Sequence, residues 1–249
     1  MTCIINYPHG KSINIPQINI DKWYSENGDN NVFIVNKIYL GRKNSVWEWN
    51  ALQFFMERLS GSPNAVILDI GAQQGLYSLL ASFFPKTTWY SFEPYESSYE
   101  LLNSNLQYNN ITNVSTYKIG MSNIKGTDIL FVPNKKGEKG GLNCLARKID
   151  GRINLHQCEQ ICIETDTIDN LFINTPINYI KIDIEGFELN VLIGGINTIS
   201  KYRPFILMEY NHINMKTCDI TPNMVDNFFI KLNYNYIIID DEERFYYPV

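Results

Sequence analysis

Asp69, Glu93, Asp183 and Glu209, the last closely followed by His212, each stand at or near the end of an apolar run. The densest of these runs is Ala65-Val66-Ile67-Leu68-Asp69-Ile70-Gly71-Ala72-Gln73-Gln74-Gly75, in which a β-favouring segment passes into a glycine-bearing turn. Gly71 and Gly75 permit positive φ and let the backbone approach a ligand. A helix opening at about Gly75 would aim its unpaired N–H groups at the same place. Read blandly, the glycines only permit a tight turn and Asp69 only caps a helix. Their spacing is G-x-x-x-G rather than G-x-G-x-x-G, which argues against nicotinamide and flavin cofactors. Glu93 lies 22 positions after Gly71 at the tip of the next apolar run. An acid there is placed to bind both hydroxyls of a ribose.

Three stretches together carry a family resemblance. Asp69-Ile70-Gly71-Ala72-Gln73-Gln74-Gly75-Leu76-Tyr77-Ser78, Phe92-Glu93-Pro94 and Tyr179-Ile180-Lys181-Ile182-Asp183-Ile184-Glu185-Gly186-Phe187-Glu188 resemble the FkbM-type S-adenosylmethionine-dependent methyltransferases. The likeness runs from roughly Trp47 to the C-terminus, and K-x-D-x-E-G is its most specific element. It implies S-adenosyl-L-methionine held by Asp69, Gly71, Ala72, Gln73, Gly75, Tyr77, Glu93, Pro94, Gly120, Met121 and Asp183. One departure stands in the loop: the family usually has Asn where this chain has Gln73.

The resemblance implies O-methylation of a sugar, a glycan or a related small molecule. A sugar hydroxyl keeps its proton near neutral pH, so a base must take that proton or a metal must lower its pKa. Asp183, Glu209 and His212 are the candidates, because strands ending at these positions meet at one rim. His212 has the intrinsic pKa of a base, with an exposed loop histidine as the plain alternative. Asp183 and Glu209 could instead hold Mg²⁺ or Mn²⁺ through hard oxygen ligands, or position the substrate. Glu185 reads as the start of a helix at Gly186, and Lys181 as the partner of a neighbouring acid. His156, Cys158 and Cys162 lack the C-x₂-C spacing of common zinc sites, so no dedicated metal site is expected.

These residues need a scaffold that brings strand ends together. From Ala65 onward strands and helices alternate: strands at about 65–70, 87–92, 114–119, 177–183 and 204–209, with helices at 75–84, 95–109, to about 200, and 222–232. The expected fold is α/β: a doubly wound, mostly parallel, seven-stranded class I methyltransferase (Rossmann-like) sheet closed by an antiparallel C-terminal hairpin. A small N-terminal β/α cover over 1–60 precedes the 65–249 core, all in one domain. Residues 120–175 break the alternation and read as an acceptor-side insertion. Its Gly/Lys-rich loop around 133–152 could meet an anionic acceptor, although a solvated loop is the plainer reading.

At 249 residues, 45% of them hydrophobic, the chain can bury one substantial core. A net charge of −5 supplies no global field for a phosphate backbone. This weighs against an RNA ribose 2′-O-methyltransferase, the second enzyme reading. A third reading is a methyltransferase-fold scaffold without chemistry. No apolar run is long enough to span a bilayer, and the N-terminus lacks the features of a signal peptide. Five scattered cysteines suggest a reducing cytoplasm. The oligomeric state is not legible.

Overall fold

The computed structural model describes residues 2–6, 12–16, 48–133 and 158–249. In chain order the elements are β1 (Thr2–Asn6), β2 (Ser12–Pro16), α1 (Trp49–Ser60), β3 (Val66–Ile70), a 3₁₀ helix (Ser78–Phe83), β4 (Thr88–Phe92) and α2 (Glu96–Tyr108). β5 (Val114–Tyr117), β6 (Gly120–Met121), β7 (Gly126–Pro133), β8 (Cys158–Asp166), α3 (Ile168–Phe172) and β9 (Tyr179–Ile182) follow. The chain closes with α4 (Glu188–Gly194), α5 (Ile196–Tyr202), β10 (Phe205–Glu209), α6 (His212–Thr217), α7 (Pro222–Lys231), β11 (Tyr234–Ile238) and β12 (Glu243–Pro248).

Seven strands form the main sheet in the order β11-β12-β10-β9-β3-β4-β5. The block from β10 to β5 is parallel, and β12 joins β10 antiparallel before pairing with β11. β3 leads outward to β4 and β5, whereas β9 and β10 build on its other side. The connection therefore reverses between β3 and β9, where a doubly wound sheet opens a crevice at its carboxyl edge. β1 and β2 make a separate antiparallel pair, and β6, β8 and β7 a small three-stranded sheet. No helix among the described residues is long and apolar enough to cross a membrane.

Both faces of the central strands β3, β9 and β10 are buried, which is why these strands read as continuous apolar runs. Leu68, Ile70, Ile180, Ile182, Ile206 and Met208 feed one core; Ile67, Trp89, Tyr179, Leu207 and Phe245 feed the other. The second core is capped by α1, whose Leu52, Phe55, Met56 and Leu59 recur at helical spacing and are almost fully buried. Phe55 meets Tyr77 and Tyr179 edge-on, each with ring centroids 5.7 Å apart. That packing sets the start of α1, and with it Glu48, over the carboxyl edge of the sheet.

Two expected helix starts are displaced, both for backbone reasons. The segment after Gly75 turns irregularly and becomes helical only at Ser78, in 3₁₀ form. Gln73 (φ 47°) and Gly75 (φ 97°) are left-handed and cannot belong to a right-handed helix, so no α-helical N-terminus faces the turn. Likewise Glu185 (φ 59°) and Gly186 (φ 104°) delay α4 to Glu188. The Glu188 carboxylate accepts the Ile184 and Gly186 N–H groups and holds that loop. A Cβ on Gly186 would lie 2.2 Å from the Asn214 carbonyl oxygen, so the glycine allows α6 to pack against the loop.

Candidate active site

At the carboxyl edge lies an open cavity, about 570 Å³ of space counting its mouth, lined among others by Gly71, Gln73, Glu93, Pro94, Gly120, Met121, Asp183 and Glu185. Its apolar wall comes from Ile70, Phe92, Ile119, Leu130, Ile163 and Ile184. Leu130 and Ile163 belong to β7 and β8, so the described part of the 120–175 insertion helps to wall this cavity. Gly120 permits that closure, since a Cβ there would come within 2.8 Å of Ile163 Cδ1.

Glu93 is 5% exposed, and its two carboxylate oxygens accept the Gln73 and Tyr95 N–H groups, both at 2.9 Å. Burial pushes its pKa up to about 7, against the pull of those amides. The remaining lone pairs can receive two neighbouring hydroxyls. The Gln73 amide is thus committed to Glu93, which helps to hold a non-glycine residue in the left-handed region.

Three residues expected to touch a cofactor hold the turn instead. Asp69 is fully buried; it accepts from Ser78 Oγ at 2.5 Å and lies 3.9 Å from Lys181 Nζ. Lys181 Nζ in turn donates to the Gly71 carbonyl at 3.2 Å, tying the glycine turn to β9. Burial raises the Asp69 pKa, with Lys181 and Ser78 acting against it. Ala72 is buried, its N–H donating to the Phe92 carbonyl. Gly75 faces Leu102, whose Cδ1 would lie 2.7 Å from an added Cβ. The reason is register. Asp69 lies on the Ile67 face of β3, under α1, whereas the cavity opens toward the Ile70 face.

Gly71 separates the two functions most sharply. A Cβ on it would sit 1.9 Å from the Asp183 carbonyl oxygen, and its φ is +76°. It lines the cavity, but contact between the β3 and β9 loops already requires a glycine there.

A second recess, about 190 Å³, opens beside the first and is lined by Glu48, Tyr77, Lys181, Ile182, Asp183, Leu207, Glu209 and Glu243. Asp183 lines both cavities. Strand alternation explains the assembly. Asp69, Lys181, Leu207 and Phe245 are successive lateral partners across β3, β9, β10 and β12. One step further out on the same face, Glu209 pairs with Glu243. Tyr77 and Glu48 close the recess from the glycine turn and from the start of α1.

Lys181 is the cation in this recess; its ammonium lies 3.5 Å from Asp183 Oδ2 and 5.0 Å from the Tyr77 ring centre. Burial alone would lower its pKa, but Asp183, Asp69 and Glu48 more than reverse that, so it stays charged. The acids are less well served. Burial and then Asp183 push Glu48 up to about 7. Burial, Asp240 and Glu48 push Glu243 up to about 10. Burial and the nearby Glu185 and Asp183 raise Glu209 well above the usual carboxylate range. Asn214 Nδ2 donates to Glu185 at 2.7 Å and to Glu209 at 3.1 Å, bridging the two sites.

The structure thus brings Asp183 and Glu209 together and places Tyr77, expected at the cofactor, in the recess with them. His212 does not join them: it is exposed at the first turn of α6, lies edge-on to Tyr210 at 5.2 Å and lines neither cavity. The cause is Asn211, whose side chain caps α6 and turns the chain away just after β10. The divalent-cation reading finds no support, since among the described residues no three His, Cys, Asp or Glu side chains converge as a metal-binding group. Glu209 is engaged by Asn214, and Asp183 by Lys181. Cys158 and Cys162 both stand on β8, the first half-buried and the second exposed, while His156 and the basic part of the 133–152 loop from 134 onward lie outside the described residues.

Sequence reasoning missed Glu48, Glu243 and Asn214. Glu243 carries a faint signal, because it stands two residues from the inward-facing Phe245. Glu48 and Asn214 carry none, since their positions depend on how α1 and α6 dock.

The chain is similar to known proteins at two levels, family and fold. The family model of the methyltransferase FkbM domain matches residues 69–238. A solved structure described as methyltransferase FkbM from Methylobacillus flagellatus superposes with a TM-score of 0.51 at 18% identity, covering 74% of this chain and 44% of that one. A putative methyltransferase from Streptococcus mutans, solved with SAH, gives a TM-score of 0.46 at 13% identity over 79% of this chain and 97% of its own. Among curated proteins, the AMB antimetabolite synthetase AmbE of Pseudomonas aeruginosa is 29% identical over 179 residues, 58% of this chain. The chain spans about 8% of that protein's length.

Proposed function

This chain belongs to the FkbM family of S-adenosylmethionine-dependent methyltransferases, and from that premise we propose that it methylates a hydroxyl of a sugar, a glycan or a related small molecule. The observation that carries the reading is the shared wall: one acid, Asp183, borders both the larger cavity and the smaller polar recess. A donor and an acceptor held on either side of it would meet at one carboxylate.

The larger cavity has the chemistry for the cofactor. Glu93 offers a pinned carboxylate for a ribose diol, and Ile119, Leu130, Ile163 and Phe92 offer an apolar slot for a planar base. Asp183 and Glu185 give the other end the negative character that suits a sulfonium and an amino group. When bound, S-adenosylmethionine supplies an electrophilic methyl group. The chain's own contribution is alignment, a proximity effect worth on the order of 7–11 kcal/mol at the extreme, and removal of the hydroxyl proton. We assign that proton to Asp183, whose side chain keeps 22% of its surface exposed and is held 3.5 Å from Lys181. Glu209, anchored by Asn214, positions the acceptor.

A calorimetric titration with S-adenosylhomocysteine tests the reading. Binding that weakens in Glu93→Ala supports it, and absence of binding in the folded protein favours the inert scaffold. An RNA ribose acceptor is the weaker alternative, because the recess is lined by acids that would repel phosphates. Tight, salt-dependent RNA binding would restore it.

A further inference from the structure

We propose that the recess beside Asp183 is the acceptor subsite and that it takes an amine-bearing acceptor, an amino sugar within the class above, whose ammonium sits among Glu48, Glu209 and Glu243. The proposal rests on the methyltransferase reading for its reaction and on the recess alone for its ligand.

Charge is the first argument. Glu48, Asp183, Glu209 and Glu243 line a space whose described cation is Lys181. Lys181 is committed to the Gly71 carbonyl, Asp69 and Asp183, all on the β3 side of the recess. The β12 side, where Glu209 pairs with Glu243, is left with like charges facing one another. Buried carboxylates in that position need either protons or a cation. An ammonium supplies the cation together with up to three N–H donors. A phosphate or carboxylate would add to the repulsion, and a neutral hydroxyl would leave it unchanged.

The second argument is independent of charge. Tyr77 is 2% exposed, it lines the recess, and its hydroxyl has no hydrogen-bond partner among the described residues. Burial and then the neighbouring Glu48 carboxylate raise the phenol's pKa, and Glu48 stands beside the hydroxyl without a well-directed hydrogen bond to it. A buried hydroxyl left this way is destabilising unless a donor or acceptor fills the space. The phenol oxygen can accept from an ammonium N–H while its proton turns to Glu48.

Size and continuity complete the case. The recess is narrow, about 190 Å³ of space counting its open mouth, so it takes the ammonium itself while the ring that carries it stays at the mouth. Its boundary with the larger cavity is Asp183. A ring anchored by its ammonium at Glu209 and Glu243 would direct a second substituent, the hydroxyl, toward Asp183. Burial and the neighbouring acids raise the pKa values of Glu48 and Glu243, a demand for positive charge that an ammonium would meet.

The test uses the full chain at pH 7, with and without S-adenosylhomocysteine, and three single-ring probes followed by saturation-transfer NMR. These are methyl α-D-glucosaminide, methyl α-D-glucoside and glucose 6-phosphate. The glucosaminide is expected to bind about tenfold or more tightly than the glucoside, the scale of one charge-assisted hydrogen bond, and glucose 6-phosphate not to compete. Glu48→Gln combined with Glu243→Gln should bring the first two probes to within about twofold of each other, with S-adenosylhomocysteine affinity and the circular dichroism spectrum retained. Should that variant not fold, Tyr77→Phe provides the second route and should weaken the glucosaminide more than the glucoside. Equal binding of glucosaminide and glucoside, preference for the phosphate, or no glucosaminide binding overturns the proposal. Failure of S-adenosylhomocysteine to bind overturns the methyltransferase reading instead, and the amine preference is then read from the cofactor-free arm.

Discussion

The larger cavity and the acid recess meet at Asp183, yet they satisfy their buried acids in opposite ways. In the cavity, Glu93 accepts two backbone N–H groups, and burial takes its pKa only to about 7. In the recess, Glu243 faces Asp240 and Glu48, and its pKa climbs to about 10. A carboxylate served by amides gives up its proton near neutral pH and is then ready for its ligand. One surrounded by other carboxylates waits for a cation or keeps a proton. The first arrangement suits an invariant cofactor and the second a selective acceptor.

The largest effect should come from the backbone that both sites share. Gly71→Val places a Cβ where only 1.9 Å separates it from the Asp183 carbonyl. It should therefore destabilise the protein by several kcal/mol, the range of overpacked, strained sites. A thermal melt checks this; a melt close to wild type, with cofactor binding lost, would mean that the glycine serves the ligand and not the fold.

Asp183→Asn should then divide chemistry from binding. Turnover is expected to fall by roughly 10²–10⁴, the usual contribution of a positioned base, while S-adenosylhomocysteine affinity changes far less. Equal losses in both would assign Asp183 to the cofactor alone. Glu93→Ala should do the reverse and weaken S-adenosylhomocysteine by about 1–3 kcal/mol, as read by calorimetry. Unchanged affinity in the folded variant would remove Glu93 from the site.

The pH dependence of stability separates the two kinds of acid. An acid whose pKa is raised on folding binds more protons in the folded state between its unfolded and folded values, so stability falls as pH rises through that window. For Glu93 and Glu48 the window runs from the ordinary 4.5 to about 7; for Glu243 it runs from 4.5 to about 10. Urea midpoints of the ligand-free protein should decline across both. Glu243→Gln should flatten the part between about 7 and 10 and leave the lower part; an unaltered upper slope would show that Glu243 is not held protonated. The smallest effect is expected at His212. It is exposed and lines neither cavity, so His212→Asn should leave turnover within about twofold. A large loss would put the base on α6 after all.

Much of this molecule was legible because it is local. Alternating apolar runs and glycine turns marked the parallel strands, since burial on both faces requires such runs. Glu93 and Pro94 follow directly from the end of β4, and Gly120 and Met121 lie just past β5, so their position at the shared edge of the strand ends could be read from the chain. What the linear pattern could not convey was which face each residue takes and what lies across from it. Asp69 and Gly71 are two positions apart, but the Asp69 side chain is buried under α1 while Gly71 lines the cavity. Glu48 and Glu243 are 195 positions apart in the chain and line one recess. Only the docking of α1 through Phe55 and the antiparallel insertion of β12 beside β10 bring them there. Local composition determines where a strand ends and whether a glycine is needed. Long-range packing and register decide which acids share a space, and that in turn decides whether a carboxylate is met by an amide, a lysine or another carboxylate.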